Sequence, residues 1–119
     1  MNMQVNERED RVCVIKVSGE LDAWHTLPVG GEVHRIVNED PRWVVLEMSD
    51  VEMLTSAGLS VLIQCNRALI ATGHGLILVG CIPEVKLVLR EARLHEALLT
   101  MSSFDEAILS LSGETIEMC

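Results

Sequence analysis

Apolar residues run in short, nearly continuous stretches that predict buried β-strands. Residues 11–18 are rich in β-branched side chains, residues 42–48 form a second stretch, and residues 75–80 form a third that is bracketed by glycines. Apolar runs of this length without polar alternation are typical of strands whose two faces are both covered. Residues 3–7 predict a further strand at the edge of the sheet, beside 11–18.

The segments between and after these stretches carry apolar residues at helical spacing. Residues 57–71 place leucine and isoleucine on one stripe, and a shorter helical repeat follows Pro83. Ser103 and Glu106 predict a capping box, in which each side chain bonds the backbone of the other residue at the start of a helix. Residues 26–38 also have helical spacing, although two glycines there weaken the helix by about 1 kcal/mol each.

The order of these elements predicts an α/β fold. Strands and helices alternate until the last two elements, which are both helices. This order implies a mixed β-sheet of about four to five strands, with crossover helices packed on it and a C-terminal helix. The chain has 119 residues, the size of one domain, and contains no repeat or linker. We therefore expect residues 1–119 to form a single domain.

Composition limits the class of partner. Nine basic and 18 acidic residues give a formal charge of −9 at pH 7, which would repel a nucleic acid or an anionic membrane. Two Trp and one Phe are too few for an RNA-binding sheet with stacking aromatic side chains. The longest apolar stretch, 57–71, is too short and too polar to cross a bilayer, and the N-terminus does not resemble a signal peptide. We expect a cytoplasmic protein that binds neither nucleic acid nor membranes.

Patterns that indicate an enzyme or a metal site are missing from the sequence. No phosphate-binding glycine loop and no Gly-x-Ser-x-Gly nucleophile motif occurs. The histidines and cysteines show no metal-ligand spacing; they are His25, His34, His74, His95, Cys13, Cys65, Cys81 and Cys119. Three cysteines lie in apolar runs and are expected in the core, whereas Cys119 is expected to be an exposed thiol. We expect no enzymatic activity, no metal and no cofactor.

The stretch from Leu54 to Leu59 is the candidate functional motif. Thr55 and Ser56 follow a strand predicted to end near Met48 and precede a helix, so either hydroxyl could simply cap the free N–H groups of the first turn. A phosphate on Ser56 would bring about −1.5 to −2 charges to a helix N-terminus, which can receive it without unfolding. A partner packed there would meet a desolvated dianion, so the position suits a binding switch.

Three motifs, in this order and with matching gaps, resemble those of the STAS family. They are Gly19-Glu20-Leu21-Asp22, Trp43-Val44-Val45-Leu46-Glu47-Met48-Ser49 and Thr55-Ser56-Ala57-Gly58-Leu59. Family members typically read G-E-L-D, V-V-L-D-L-S and D/S-S-x-G-L. The segment Ser103–Ala107 also resembles the family's S-x-x-E-A, and the similarity covers almost the whole chain.

The resemblance implies an anti-sigma factor antagonist that regulates transcription by partner switching, as in stress responses. The unphosphorylated domain would bind an anti-sigma factor that is also a GHKL-type serine kinase, and would thereby release a sigma factor. Phosphorylation would end this binding, and a PP2C-type phosphatase would restore it. By motif position the acceptor is Ser56, and the residues expected at the partner contact are Glu20, Asp22, Thr55, Gly58 and Leu59.

Two departures from the family pattern leave alternatives open. Thr55 stands where the family commonly has an acidic residue, and it is itself an alternative acceptor. Trp24 and His25 belong to an unusual first helical segment beside Asp22. A STAS scaffold or ligand-sensing module that is not phosphorylated is the second hypothesis. An enzyme that uses Asp22 and Ser56 is the third hypothesis, but such an enzyme would lack a general base, an oxyanion hole and a metal site. The sequence leaves homodimer formation, the sigma factor and the kinase undetermined.

Overall fold

A computed structural model of the chain describes residues 2–7, 12–91 and 98–118. The expected exposed thiol of Cys119 lies outside the described residues, and so does His95.

The described residues form one five-stranded mixed sheet whose strands lie in chain order. The strands are β1 (Asn2–Glu7), β2 (Val12–Leu21), β3 (Trp43–Leu54), β4 (Leu76–Val79) and β5 (Leu99–Met101). β1 pairs antiparallel with β2, and every later pair is parallel. The structure confirms the predicted α/β fold and the edge position of the first strand.

The described residues also form four helices that cover the sheet, of which three connect parallel strands and the fourth follows β5. They are α1 (Leu27–Glu39), α2 (Ser56–Ile70), α3 (Pro83–Glu91) and α4 (Phe104–Met118). The first three helices share one apolar core with one face of the sheet. α4 packs on the opposite face and forms a smaller core with it. Parallel strands need crossover connections, so α1, α2 and α3 are the connections that the strand order requires.

Side-chain alternation along each strand supplies both cores. In β4, Leu76 and Leu78 enter the core beneath α1, α2 and α3, whereas Ile77 and Val79 face α4. Because both faces are covered, the strand is apolar at every position. The start of β2 joins the smaller core through Val12 and Val14, whereas Lys16, further along the same face of the strand, is exposed.

Two strands run further than the hydrophobic pattern predicts. β2 was expected to stop at Gly19 but continues through it to Leu21, with Gly19 at a φ of 89°. β3 was expected to end near Met48 but continues to Leu54. The extensions pair with each other, so each satisfies the other's backbone hydrogen bonds. Local hydrophobicity does not report this pairing, because the added segments contain exposed polar residues.

β5 is the strand that the sequence pattern missed. It has only three residues, and Leu99 and Thr100 are exposed. Its register with β4, which joins Ile77 to Leu99 and Val79 to Met101, defines the strand. A run this short, at the edge of the sheet, carries no periodic signal.

The predicted capping box at the start of α4 forms in part. The backbone N–H of Glu106 donates to the Ser103 hydroxyl at 3.2 Å, as predicted. The Glu106 carboxylate, however, accepts from the backbone N–H and the hydroxyl of Ser102 and not from the Ser103 N–H. The carboxylate therefore bonds one residue further from the helix than the motif implies.

The start of α2 lies against the end of β2, and Gly58 makes this approach possible. A Cβ atom at position 58 would lie 2.2 Å from the carbonyl oxygen of Leu21 and 3.4 Å from the backbone nitrogen of Asp22. Both neighbours are backbone atoms, so they cannot rotate away as a flexible side chain would. Any residue larger than glycine must displace the helix or the strand.

Gly58→Ala is expected to lower the free energy of unfolding by about 1–3 kcal/mol through this overpacking. Gly31→Ala is the control, because a Cβ at this helical position meets nothing within 4 Å. The control should raise the free energy of unfolding by about 0.5–1 kcal/mol, since alanine favours a helix more than glycine does. Urea unfolding of the two variants measures the difference, and equal effects would contradict the close approach.

Candidate functional site

The candidate site lies where the carboxyl ends of two parallel strands meet the start of a helix. β2 and β3 finish side by side, with Leu21 opposite Leu54. The backbone N–H of Thr55 donates to the Leu21 carbonyl oxygen at 3.0 Å, and α2 begins at the next residue. The Gly-Glu-Leu-Asp and Thr-Ser motifs, which are more than thirty residues apart, thus come together. This carboxyl edge is where open α/β sheets commonly bind their ligands.

Thr55 is the N-cap of α2. Its backbone is extended, with φ −86° and ψ 164°, and its hydroxyl oxygen accepts from the Gly58 N–H at 3.1 Å. The same hydroxyl donates to the Leu21 carbonyl oxygen at 3.4 Å. The side chain is half-buried and provides the capping role that the sequence left open between two residues.

Ser56 is the first residue of α2, and it is exposed. The first turn of α2 contains no acidic residue, and the basic residue Arg67 lies in its last turn. The first N–H groups of a helix have no partner within the helix and carry a partial positive charge. Ser56 therefore presents its hydroxyl to solvent beside groups that favour a negative charge.

Gly58 and Leu59 lie beneath the surface. Gly58 is buried against β2, and the Leu59 side chain is 2% exposed within the main core. Both residues determine where the first turn of α2 lies. The Leu59 side chain supports the surface from inside, and the lack of a side chain at Gly58 permits the close approach to β2. Ser56 and Ala57 occupy the outside of the same turn.

Asp22 organises the loop between β2 and α1. Its Oδ1 atom accepts from the backbone N–H of Trp24 at 3.0 Å and of His25 at 2.8 Å, and the Nδ1 atom of His25 lies 2.9 Å from the same oxygen. The Asp22 carbonyl oxygen accepts from the buried Thr26 hydroxyl at 2.6 Å. Asp22 therefore accepts several hydrogen bonds from residues of its own loop. The sequence did not predict these bonds.

These bonds lower the pKa of the Asp22 carboxyl below its ordinary value of 3.8. The backbone N–H of His25 is the largest cause, since a donor to the carboxylate favours the charged form. The His25 ring and the Trp24 N–H act in the same direction, and desolvation opposes them. The carboxyl is therefore ionised in the folded protein at neutral pH.

Exposed apolar side chains lie close to these polar groups in the sequence and in the sheet. Trp24 is 78% exposed, Leu27 at the start of α1 is 56% exposed, and Met53 is 44% exposed. Met53 is opposite the exposed Glu20 in the β2–β3 register. The sequence singled out Trp24 as unusual, but neither its exposure nor the position of Met53 could be predicted from hydrophobicity.

The described cysteines belong to the core. Cys13, Cys65 and Cys81 are buried, as predicted. Burial raises the pKa of the Cys65 and Cys81 thiols to about 11, so both are protonated at neutral pH. Within the described ranges, no three His, Cys, Asp or Glu side chains are arranged to hold a metal ion. No helix in that part of the chain combines the length and apolar character needed to span a membrane.

Comparison with known proteins defines the class. The STAS domain family matches residues 3–107, and this chain therefore belongs to the STAS family. A comparison with curated proteins found no match.

Solved structures with the same fold include anti-sigma factor antagonists. One from Mycobacterium paratuberculosis is 27% identical, with a TM-score of 0.74 over 92% of each chain. A Ser-to-Glu variant of RsbS from Moorella thermoacetica is 20% identical, with a TM-score of 0.80 over 97% of this chain and 98% of that one. The phosphorylated form of the Bacillus cell fate determinant SpoIIAA is 18% identical, with a TM-score of 0.72 over 92% and 99%.

Asp22 should titrate below 3.8 in the folded protein. A carboxyl whose folded-state pKa is lowered stabilises the fold at pH values above its unfolded pKa, and this contribution is lost as the pH falls through the folded value. An NMR titration should therefore show a coupled shift of the Trp24 and His25 amide signals at acidic pH, with a midpoint below 3.8. Asp22→Asn should abolish that shift. Titration of Asp22 at or above 3.8 would contradict the loop bonding described here.

Proposed function

We propose that this protein is an anti-sigma factor antagonist, a cytoplasmic binding protein whose complex is ended by phosphorylation of Ser56. Membership of the STAS family and the similarity of its fold to solved antagonists support this proposal. The observation that carries it is the exposed hydroxyl of Ser56 at the start of α2, where Thr55 already provides the cap. By the same resemblance, the partner is an anti-sigma factor of the GHKL serine-kinase type, and a PP2C-type phosphatase reverses the modification.

The geometry favours Ser56 over Thr55 as the acceptor. The Thr55 hydroxyl caps the Gly58 N–H and lies 3.4 Å from the Leu21 carbonyl oxygen. A phosphate on Thr55 would remove the hydroxyl hydrogen and bring negative charge against that carbonyl oxygen. Ser56 has neither constraint, because its side chain is on the exposed side of the first turn.

The departure of residue 55 from the family pattern makes the fold more tolerant of a phosphate. An acidic residue beside Ser56 would repel the added dianion, whereas Thr55 carries no charge. The first turn of α2 also contains no acidic residue, and the preceding acidic residue in the sequence is Glu52. The free N–H groups of the first turn can therefore interact with the phosphate without competition from a neighbouring carboxylate.

The proposed contact surface comprises Ser56, the exposed Glu20 and the Asp22 loop. Residues Gly58 and Leu59 position this surface from below, through the approach of α2 to β2. An unmodified Ser56 can be buried by a partner at small cost, because a single hydroxyl needs only one hydrogen bond. A phosphoserine would lose the hydration of about two negative charges, which opposes docking.

Ser56→Ala should abolish phosphorylation by the cognate kinase. The wild type, incubated with ATP and each purified GHKL-type anti-sigma factor of the source organism, should gain the mass of one phosphate. Ser60→Ala is the matched control, because Ser60 is an exposed hydroxyl one turn further along α2, and this variant should gain the phosphate like the wild type. Phosphate uptake by Ser56→Ala would place the acceptor elsewhere. No uptake by the wild type with any kinase would favour the unphosphorylated scaffold.

Ser56→Asp should weaken the complex by about tenfold or more, equivalent to about 1.4 kcal/mol. Ser60→Asp adds the same charge one turn away, so it separates a local effect at the helix start from a change in net charge. Ser56→Ala should bind like the wild type. Calorimetric titration without ATP measures the three affinities, and equal weakening by both aspartate variants would argue against a switch at Ser56.

A further inference from the structure

Trp24 has the largest exposed fraction among the large apolar side chains of the described residues, at 78%. Tryptophan is one of the residue types that most often dominates binding energy at protein interfaces, because its ring buries a large area with few rotatable bonds. A single exposed leucine needs no explanation, but an indole ring held in water beside a candidate site does.

The backbone of Trp24 is held on both sides. Its N–H donates to the Asp22 carboxylate at 3.0 Å, and its carbonyl oxygen accepts from the Leu27 N–H at 3.2 Å. The same turn is closed by the buried Thr26 hydroxyl bond to the Asp22 carbonyl oxygen. A side chain presented from an ordered turn loses little backbone entropy when it is bound. Asp22 therefore acts as a positioning residue for Trp24.

Trp24 belongs to the same edge of the molecule as Ser56. The turn that carries Trp24 starts at Asp22, whose backbone nitrogen lies close to Gly58 in the first turn of α2. Leu27 and Met53 add two more exposed apolar side chains, from the start of α1 and the end of β3. This apolar set (Trp24, Leu27 and Met53) therefore comes from segments that adjoin the β2–α2 contact: the turn after β2, the start of α1 and the end of β3.

Charge complementarity indicates the kind of partner. Residues 18–28 and 49–60 contain no Lys or Arg and four acidic residues: Glu20, Asp22, Asp50 and Glu52. Lys16 lies 3.7 Å from the Asp50 carboxylate, so Glu20, Asp22 and Glu52 carry the acidic character of this surface. A second copy of this chain would bring like charges together on top of a formal charge of −9 for each copy. A partner with basic residues around an apolar pocket fits both the acidic surroundings and the apolar set.

We propose that Trp24 is the anchor of the partner contact, inserted in an apolar pocket of the anti-sigma factor that is bordered by Lys or Arg. This proposal rests on the proposed function for the class of partner. It also explains how a partner with a basic rim can still reject the phosphorylated protein. The dianion on Ser56 would lose most of its hydration when the partner covers the start of α2, and this desolvation cost can exceed the attraction of nearby basic side chains.

The test compares Trp24→Ala with Leu109→Ala, without ATP, against each purified GHKL-type anti-sigma factor of the source organism. Leu109 is 72% exposed on α4, which packs on the opposite face of the sheet from the other helices. It is therefore similar to Trp24 in exposure but lies in a different part of the molecule. Trp24→Ala should weaken binding by about 30-fold, and Leu109→Ala should leave it unchanged. Because both side chains are exposed, urea unfolding should be unaltered in both variants.

A fluorescence measurement reports directly whether the partner buries the Trp24 side chain. Trp43→Phe leaves Trp24 as the only tryptophan, since the sequence contains two. Emission from this variant should shift to shorter wavelength when the anti-sigma factor is added and should not change on concentration alone. A shift on concentration alone would show that a second copy covers Trp24, which would overturn the proposed partner.

The outcomes separate this proposal from the phosphorylation switch. Wild-type affinity for Trp24→Ala would overturn the anchor but leave phosphate uptake on Ser56 to be judged by mass. Weakened binding of Trp24→Ala, with no phosphate uptake by the wild type, would support the anchor and reject the switch. If the wild type binds none of the anti-sigma factors, both proposals are wrong.

Discussion

The carbonyl oxygen of Leu21 is the point on which the site depends. It is the last carbonyl of β2, and it accepts the backbone N–H of Thr55 at 3.0 Å. Gly58 allows the first turn of α2 to approach this same oxygen more closely than any other residue type would permit. These contacts join the two motifs of the site into one rigid edge.

Around this contact the polar groups have separate roles. Thr55 caps the helix, and the Asp22 carboxylate orders the turn that follows β2. Neither group is left entirely free to meet a partner. Ser56 needs no internal bond to form the helix, since its neighbour provides the cap. Because the helix does not need a bond from Ser56, this residue can be modified while the fold is preserved. A binding switch requires such a residue.

The acidic character and the exposed apolar side chains of this edge act at different ranges. The charges of Glu20 and Glu52 extend over about 10 Å at moderate ionic strength, so they influence which partners approach. Trp24 and Met53 act only on contact, where burial of apolar area determines how long a complex lasts. A phosphate on Ser56 would change the contact more than the approach. In the proposed complex, switching and partner selection would therefore reside in different side chains of one surface.

The sequence by itself determined the sheet and its helices, because buried strands such as β4 and amphipathic helices such as α2 carry local periodicity. It also indicated Ser56, through the resemblance of three short motifs. Only the tertiary structure decided that Thr55 is the cap, that Asp22 bonds its own loop and that Gly58 and Leu59 are buried. The burial of Gly58 against β2 accompanies the Leu21–Thr55 contact, which joins residues 34 positions apart. Local patterns report which face of an element is apolar, but they do not report which elements meet, so β5 and the strand extensions also escaped prediction.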